Sequence, residues 1–180
     1  MRRLLLVRHT ETCPSFRGRC YGATDVPLSP AGLVALPGLA AQICAYGPCA
    51  VVHSGRARTR RLAEAISGMM PDLACTSDAR LRELDFGSWE GRTWDDIHAE
   101  DSCAIDRLAQ DPHFAPPGGE TVQAMRARVM AWYESCEARG VVVAISHGGP
   151  IAALRGSLGR LPPEAWPKLI PAYGAITEVR

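Results

Sequence analysis

The chain predicts a three-layer α/β/α sandwich around a mostly parallel central sheet. Two apolar runs, Leu4-Leu5-Leu6-Val7 and Val141-Val142-Val143-Ala144-Ile145, are short and near-continuous rather than alternating, as strands buried on both faces of a sheet are. Such runs alternate along the chain with segments of helical periodicity, the order that produces crossover connections and helices on both faces. With 180 residues the chain suffices for one well-buried domain and not for two, so a single domain over 1–180 is expected.

The first strand occupies residues 4–9 and stops on Arg8-His9. Residues 10–30 are rich in Gly, Pro, Cys and Arg and lack helical periodicity, which makes them a long functional loop over the sheet edge. Ser29-Pro30 opens a helix as cap and first residue; it runs to about Tyr46, with a kink or break at Pro37. A second strand covers 50–54, followed by an arginine-rich helix over 57–69. Residues 74–86 form a short extended piece ending in Leu81-Arg82-Glu83-Leu84-Asp85-Phe86, with Asp85 on the same strand face as Glu83. An irregular, polar cap segment occupies about 87–118, with helical turns near 94–99 and 105–108. Val122, Met125, Val129, Trp132 and Tyr133 lie at amphipathic spacing on a helix over about 120–139, closed by Gly140. The strand at 141–146, a helix over about 150–158 and a final strand at 175–179 complete the order.

A formal net charge of +1 gives no overall attraction to nucleic acid or an anionic membrane, so neither is an expected partner. The seven cysteines are scattered and never spaced as Cys-x-x-Cys, which suits reduced thiols in the cytoplasm better than a disulfide framework or a zinc site. No stretch approaches the ~20 apolar residues that span a bilayer, and no cleavable leader is visible. The expectation is a soluble, cytoplasmic, full-length protein without cofactor or metal, its oligomeric state open.

Ligands of open α/β sheets collect beyond the carboxyl ends of the strands. Three such ends carry Arg8-His9, Ser54 leading to Arg58, and His147-Gly148. Arginines bind phosphoryl oxygens in bidentate fashion, and Gly148-Gly149 opening a helix add close backbone donors. Neighbouring cations oppose protonation of His9, and a neutral imidazole nitrogen can attack phosphorus. The departing alcohol oxygen then needs a proton, for which Glu83, Asp85, Glu90, Glu11 and Glu120 are candidates. Glu83 leads because its apolar frame beside a phosphate dianion favours the protonated acid.

These segments resemble the histidine phosphatase (phosphoglycerate mutase-like) superfamily over nearly the whole chain. Arg8-His9-Thr10-Glu11-Thr12 is similar to its Arg-His-Gly-Glu-Thr/Ser signature, and Ser146-His147-Gly148-Gly149 to its second histidine motif. Residues 81–91 are similar to the acid-bearing segment, and Gly118-Gly119-Glu120-Thr121 to a Gly-Gly-Glu-Ser element. The resemblance implies that His9 is transiently phosphorylated, that Arg8, Arg58 and His147 hold the phosphoryl oxygens, and that Glu83 is acid and then base. Thr12, Tyr21, Gly22 and Gly148 are the further substrate- or phosphate-binding candidates. Two departures stand out: Thr10 replaces a glycine, which strains the backbone if a glycine-only angle is needed, and Gly55-Arg56 replaces Pro-Leu, leaving Arg56 as a rival to Arg58.

Residues 18–29 are similar to the same stretch of α-ribazole phosphatases, which makes α-ribazole 5′-phosphate, in cobalamin nucleotide-loop synthesis, the specific substrate candidate. The mutases of the superfamily carry extra basic residues after the acid segment; between Gly91 and Gly118 this chain has only Arg92 and Arg107. Hydrolysis of a small phosphorylated metabolite therefore ranks above a phosphoglycerate mutase-type transfer, and both above a non-catalytic phosphate-ester binder. Arg17, Arg19, Tyr21 and Trp89 are candidates for contacting the alcohol half.

Overall fold

The computed structural model describes residues 2–137 and 139–179. Strands β1 (Arg2–Arg8), β2 (Pro48–His53), β3 (Ala74–Ser77), β4 (Gly140–Ser146) and β5 (Ile176–Val179) form one sheet in the order β3-β2-β4-β1-β5, parallel except for the edge strand β5. Helices α1 (Pro30–Cys44) and α2 (Ala57–Met69) cover one face; α5 (Val122–Ser135) and α6 (Gly148–Leu158) cover the other. Two short helices, α3 (Trp94–Glu100) and α4 (Ala104–Gln110), lie between β3 and α5 in the chain.

The period of two along the strands divides the core. Leu5, Val7, Val143 and Ile145 meet Leu36, Ile43, Leu62 and Ile66 of α1 and α2, whereas Leu4, Leu6, Val142 and Ala144 meet Val129, Trp132, Ile151 and Leu154 of α5 and α6. The expected three-layer sandwich is thus present.

Helix α1 continues through Pro37. The proline frees the carbonyl of Leu33, and both Leu33 and Pro37 sit on the solvent face, where that carbonyl is open to hydration, while Leu36, Leu39, Ala40 and Ile43 keep the inner face anchored. Residues 82–86 are not a strand: β3 ends at Ser77 and a short 3₁₀ turn at Ala79–Leu81 turns the chain off the sheet, so Asp85 shares no strand face with Glu83. Helix α5 begins after its cap Thr121, whose hydroxyl accepts from Ala124 N, and ends at Ser135; residue 138 of the expected helix lies outside the described residues. Gly140 does not close that helix. It starts β4 at φ +105°, a conformation favouring glycine.

Candidate active site

The register of the sheet assembles the site. β1 and β4 pair in parallel with Arg8 opposite Ser146, so the residues that follow, His9 and His147, emerge side by side with ring centroids 5.2 Å apart. Both are buried. His9 Nδ1 donates to the Thr10 carbonyl at 2.8 Å, which in a neutral ring leaves Nε2 with its lone pair. Burial, with Arg58 and Arg8 adding to it, pushes the His9 pKa down to about 3 against the pull of that carbonyl, so the ring is neutral at physiological pH.

His147 has the opposite tautomer. Arg58 Nε can only donate, and it lies 3.1 Å from Nδ1; Nε2 therefore carries the hydrogen and donates to Ser54 Oγ at 2.7 Å. Ser54 passes the chain to Thr59 Oγ1 at 2.9 Å, and Thr59 donates to the Arg56 carbonyl. Burial first, then the charge of Arg58, holds the His147 pKa well below the ordinary imidazole value.

Arg58, on the first turn of α2, has a fully buried side chain whose two terminal nitrogens donate to the carbonyls of Thr24 and Gly22 at 2.7 and 2.8 Å. Arg8 donates from Nη1 to the Pro171 carbonyl at 2.7 Å and stacks over the Tyr173 ring at 4.1 Å, while its buried Nε has no hydrogen-bond partner. An unmatched guanidinium donor in a buried position is costly unless an anion meets it. Glu83 accepts from Leu84 N and from Gly149 N on the first turn of α6, at 3.0 and 3.3 Å. A methyl group on Gly149 would lie 2.4 Å from Glu83 Oε1, which ties this glycine to the carboxylate's placement. Two arginines, a helix N-terminus, a neutral imidazole with a free nitrogen and a carboxylate thus converge at one sheet edge.

The sequence pattern of the histidine phosphatase superfamily (branch 1) matches residues 4–180. The chain belongs to that superfamily. This histidine phosphatase is 32% identical to the glucosyl-3-phosphoglycerate phosphatase of Mycobacterium tuberculosis, over 93% of the chain and 80% of the relative. It is 33% identical to the probable phosphoglycerate mutase GpmB of Salmonella paratyphi C, over 92% and 78%. The mycobacterial glucosyl-3-phosphoglycerate phosphatase solved with VO3 superposes with a TM-score of 0.86 at 31% identity, covering 99% of this chain and 92% of that one.

Thr12, Tyr21 and Tyr173 form a hydroxyl cluster, with Thr12 Oγ1 to Tyr21 OH at 2.8 Å and Tyr21 OH to Tyr173 OH at 2.9 Å. Burial, with the Tyr173 hydrogen bond, pushes the Tyr21 pKa up to about 12, so its hydroxyl keeps its proton. Gly22 acts through its backbone: its carbonyl holds Arg58, and a Cβ there would lie 1.7 Å from the Leu84 carbonyl. Gly148 packs beneath the Arg8 guanidinium, where a Cβ would meet Cζ at 3.5 Å.

Of the rival acids, Glu90 is consumed by the loop. It accepts from the backbone of Gly22, Ala23, Thr24 and Phe86 and from the Thr24 hydroxyl. Burial opposes its ionisation, but the Thr24, Gly22 and Ala23 hydrogen bonds outweigh burial and keep its pKa low. Glu11 accepts from Ser29, Glu120 pairs with Arg128, and Asp85 accepts from Gly87 N in an exposed turn. Trp89 is core, packed with Cys20, Ile97 and Ala104. Arg17 faces Glu11, and Arg19 donates to the Gly91 carbonyl; both line an outer depression with Tyr21 and Tyr173.

Thr10 is unstrained, because Arg160 alone among the described non-glycine residues has positive φ. Its buried hydroxyl has no hydrogen-bond partner, and the residue lines a depression with Gly32, Ala35 and Leu39 of α1. Arg56, the cap residue of α2, also has a buried Nε without a hydrogen-bond partner, but it is Arg58 that bonds His147 directly, so the geometry favours Arg58.

Sequence reasoning missed Tyr173 and Arg128. The Pro171–Gly174 loop carries Tyr173 back to β1, where Gly174 N donates to the carbonyls of Arg8 and His9; in the sequence only Pro171 and Gly174, the latter found at φ +70°, hint at such a turn. Arg128 of α5 uses all five N–H donors, two on Glu120 and three on the carbonyls of Arg80, Arg82 and Glu83. Beside Arg8 and Glu83 opens a cavity of about 370 Å³, walled by α3, α4, α5, α6 and the 163–170 segment. Among the described residues no group of three or more His, Cys, Asp or Glu side chains is placed to hold a metal, and no helix is long and apolar enough to cross a membrane.

Proposed function

We propose that the chain is a phosphomonoester hydrolase working through a phosphohistidine. The observation that carries this reading is the Nδ1 hydrogen bond of His9: with Nδ1 committed to the Thr10 carbonyl, the lone pair sits on Nε2 of a ring packed against His147 and near the charges of Arg58 and Arg8. Arg8 Nε, the free N–H groups of Arg58 and the Gly148 amide at the start of α6 hold the phosphoryl oxygens, whereas His147, expected among these holders, has both ring nitrogens engaged by Ser54 and Arg58 and acts by positioning Arg58. His9 Nε2 attacks phosphorus, the bond to the alcohol oxygen breaks, and Glu83 supplies the proton that oxygen takes. A water then gives its proton back to Glu83 and attacks the phosphohistidine, releasing inorganic phosphate and neutral His9.

Hydrolysis is favoured over a mutase-type transfer by the wall that residues 94–112 contribute beside the site. Trp94, Ile105, Leu108, Ala109 and Pro112 bring no charge with which to retain a bisphosphorylated intermediate. Within the phosphomonoesters, α-ribazole 5′-phosphate is the named candidate, supported by the 18–29 loop sequence. Incubation with a ³²P-labelled phosphomonoester in EDTA, quenched in alkaline detergent where an N–P bond survives, should leave label on the protein and none on His9→Ala. A wild type that binds the ester but takes no label is a binder; labelling that EDTA abolishes contradicts the metal-free route.

A further inference from the structure

Resting on that reading, we infer that the alcohol half of the substrate is uncharged, largely apolar and ring-sized, and that it lodges in the cavity beside Arg8 and Glu83. The cavity, about 370 Å³, is continuous with the phosphoryl site, because Arg8, Glu83, Gly148 and Gly149 form its inner end. From there outward its walls are Leu84, Phe86, Trp94, Leu108, Met125 and Trp166, contributed by five separate segments of the chain. At ~30 Å³ per water the space equals about a dozen waters, too much for a three-carbon alcohol to fill and well suited to a ring or fused pair of rings.

Charge narrows the class further. Arg8 and Glu83 are the ionisable side chains that line the cavity, and both stand at its phosphoryl end. A carboxylate or second phosphate on the alcohol half would find no cation along the walls and would lose its hydration without replacement. A polyhydroxylated alcohol would leave its hydroxyls unmatched against leucine, phenylalanine and tryptophan. The glucosyl-3-phosphoglycerate named for the mycobacterial relative carries both features, so this chain's walls select a different ester. The aromatic faces of Phe86 and Trp94, 5.7 Å apart and nearly perpendicular, offer ring-stacking surface of the kind an aromatic alcohol uses.

The test compares phosphate esters of unactivated primary alcohols, of which 3-phenylpropanol is the poorer leaving group, so that a preference for its ester reports binding rather than bond cleavage. Wild type should show kcat/KM at least roughly tenfold higher for 3-phenylpropyl phosphate than for glycerol 3-phosphate, expressed mainly in KM. Leu108→Glu, on a half-buried wall position, should reduce that ratio about tenfold or more. Ile105→Lys, which puts a cation on the wall, should raise kcat/KM for 3-phosphoglycerate. Preference of the wild type for glycerol 3-phosphate or 3-phosphoglycerate overturns the assigned substrate class while leaving the hydrolase reading intact; so does a ratio that neither variant moves. Absence of hydrolysis and of protein label with every ester, p-nitrophenyl phosphate included, overturns the hydrolase reading itself.

Discussion

Glu83 faces two ways, accepting backbone amides from Leu84 and Gly149 while lining the apolar cavity where a leaving alcohol would sit. A group placed there matters in proportion to the leaving group's need for a proton. Glu83→Gln should slow single-turnover phosphorylation by an alkyl phosphate about 10²-fold or more, and by p-nitrophenyl phosphate far less, since p-nitrophenolate scarcely needs protonation. Equal losses on the two esters would sink the acid role. The same scale explains the residues that the motif left ambiguous. Arg58 outranks Arg56 because its place two residues past the cap, on the first turn of α2, carries its side chain into the buried space against His147. Thr10 is tolerated because its position needs a carbonyl for His9, which any residue supplies, and not a left-handed backbone angle.

Among the elements, the segment that carries Glu83 has no strand to hold it and depends on α5 instead. Arg128 grips three successive-region carbonyls, of Arg80, Arg82 and Glu83, and is itself fixed by both oxygens of Glu120. Glu120 N in turn donates to the Asp85 carbonyl, so the Gly118-Gly119-Glu120 turn and the acid segment are laced together. Arg128→Ala removes a largely buried five-donor hub and should cost about 2–4 kcal/mol in urea denaturation. It should also reproduce, in weaker form, the leaving-group dependence of Glu83→Gln, with Arg128→Lys failing to restore it because an ammonium lacks the planar fork. Loss of stability with a uniform loss on all esters would reduce Arg128 to a structural role. The opposite flank follows the same logic: Glu90 gathers the 22–24 amides, and that loop's carbonyls hold Arg58.

Taken as a whole, the molecule keeps two imidazoles neutral in its interior, which gives it a defined response to acid. An unfolded His9 takes a proton near its ordinary 6.5, the folded one only near 3, so between those values the unfolded chain binds more protons. Stability is therefore complete above about pH 6.5 and falls as pH drops toward 3, with a slope on the order of 1 kcal/mol per pH unit for each such ring; His147, also shifted downward, adds to it. Urea midpoints at about pH 7.5 and about pH 5 should show this fall, and His9→Asn should flatten it; a wild-type profile flat over that window contradicts two neutral buried rings. By itself the sequence determined the strands, most helix starts and the histidine-bearing strand ends, because these rest on local signals: apolar run length, the Ser29-Pro30 cap, and glycines after His147. It also ranked Glu83 first among five acids. Only the tertiary structure decided that β1 and β4 are neighbours, that Tyr173 returns to Arg8, that Arg128 clamps the acid segment, and that residues 94–112 wall an apolar cavity. Those are contacts between positions far apart in the chain, fixed by the order in which strands and helices pack rather than by any residue's own preference.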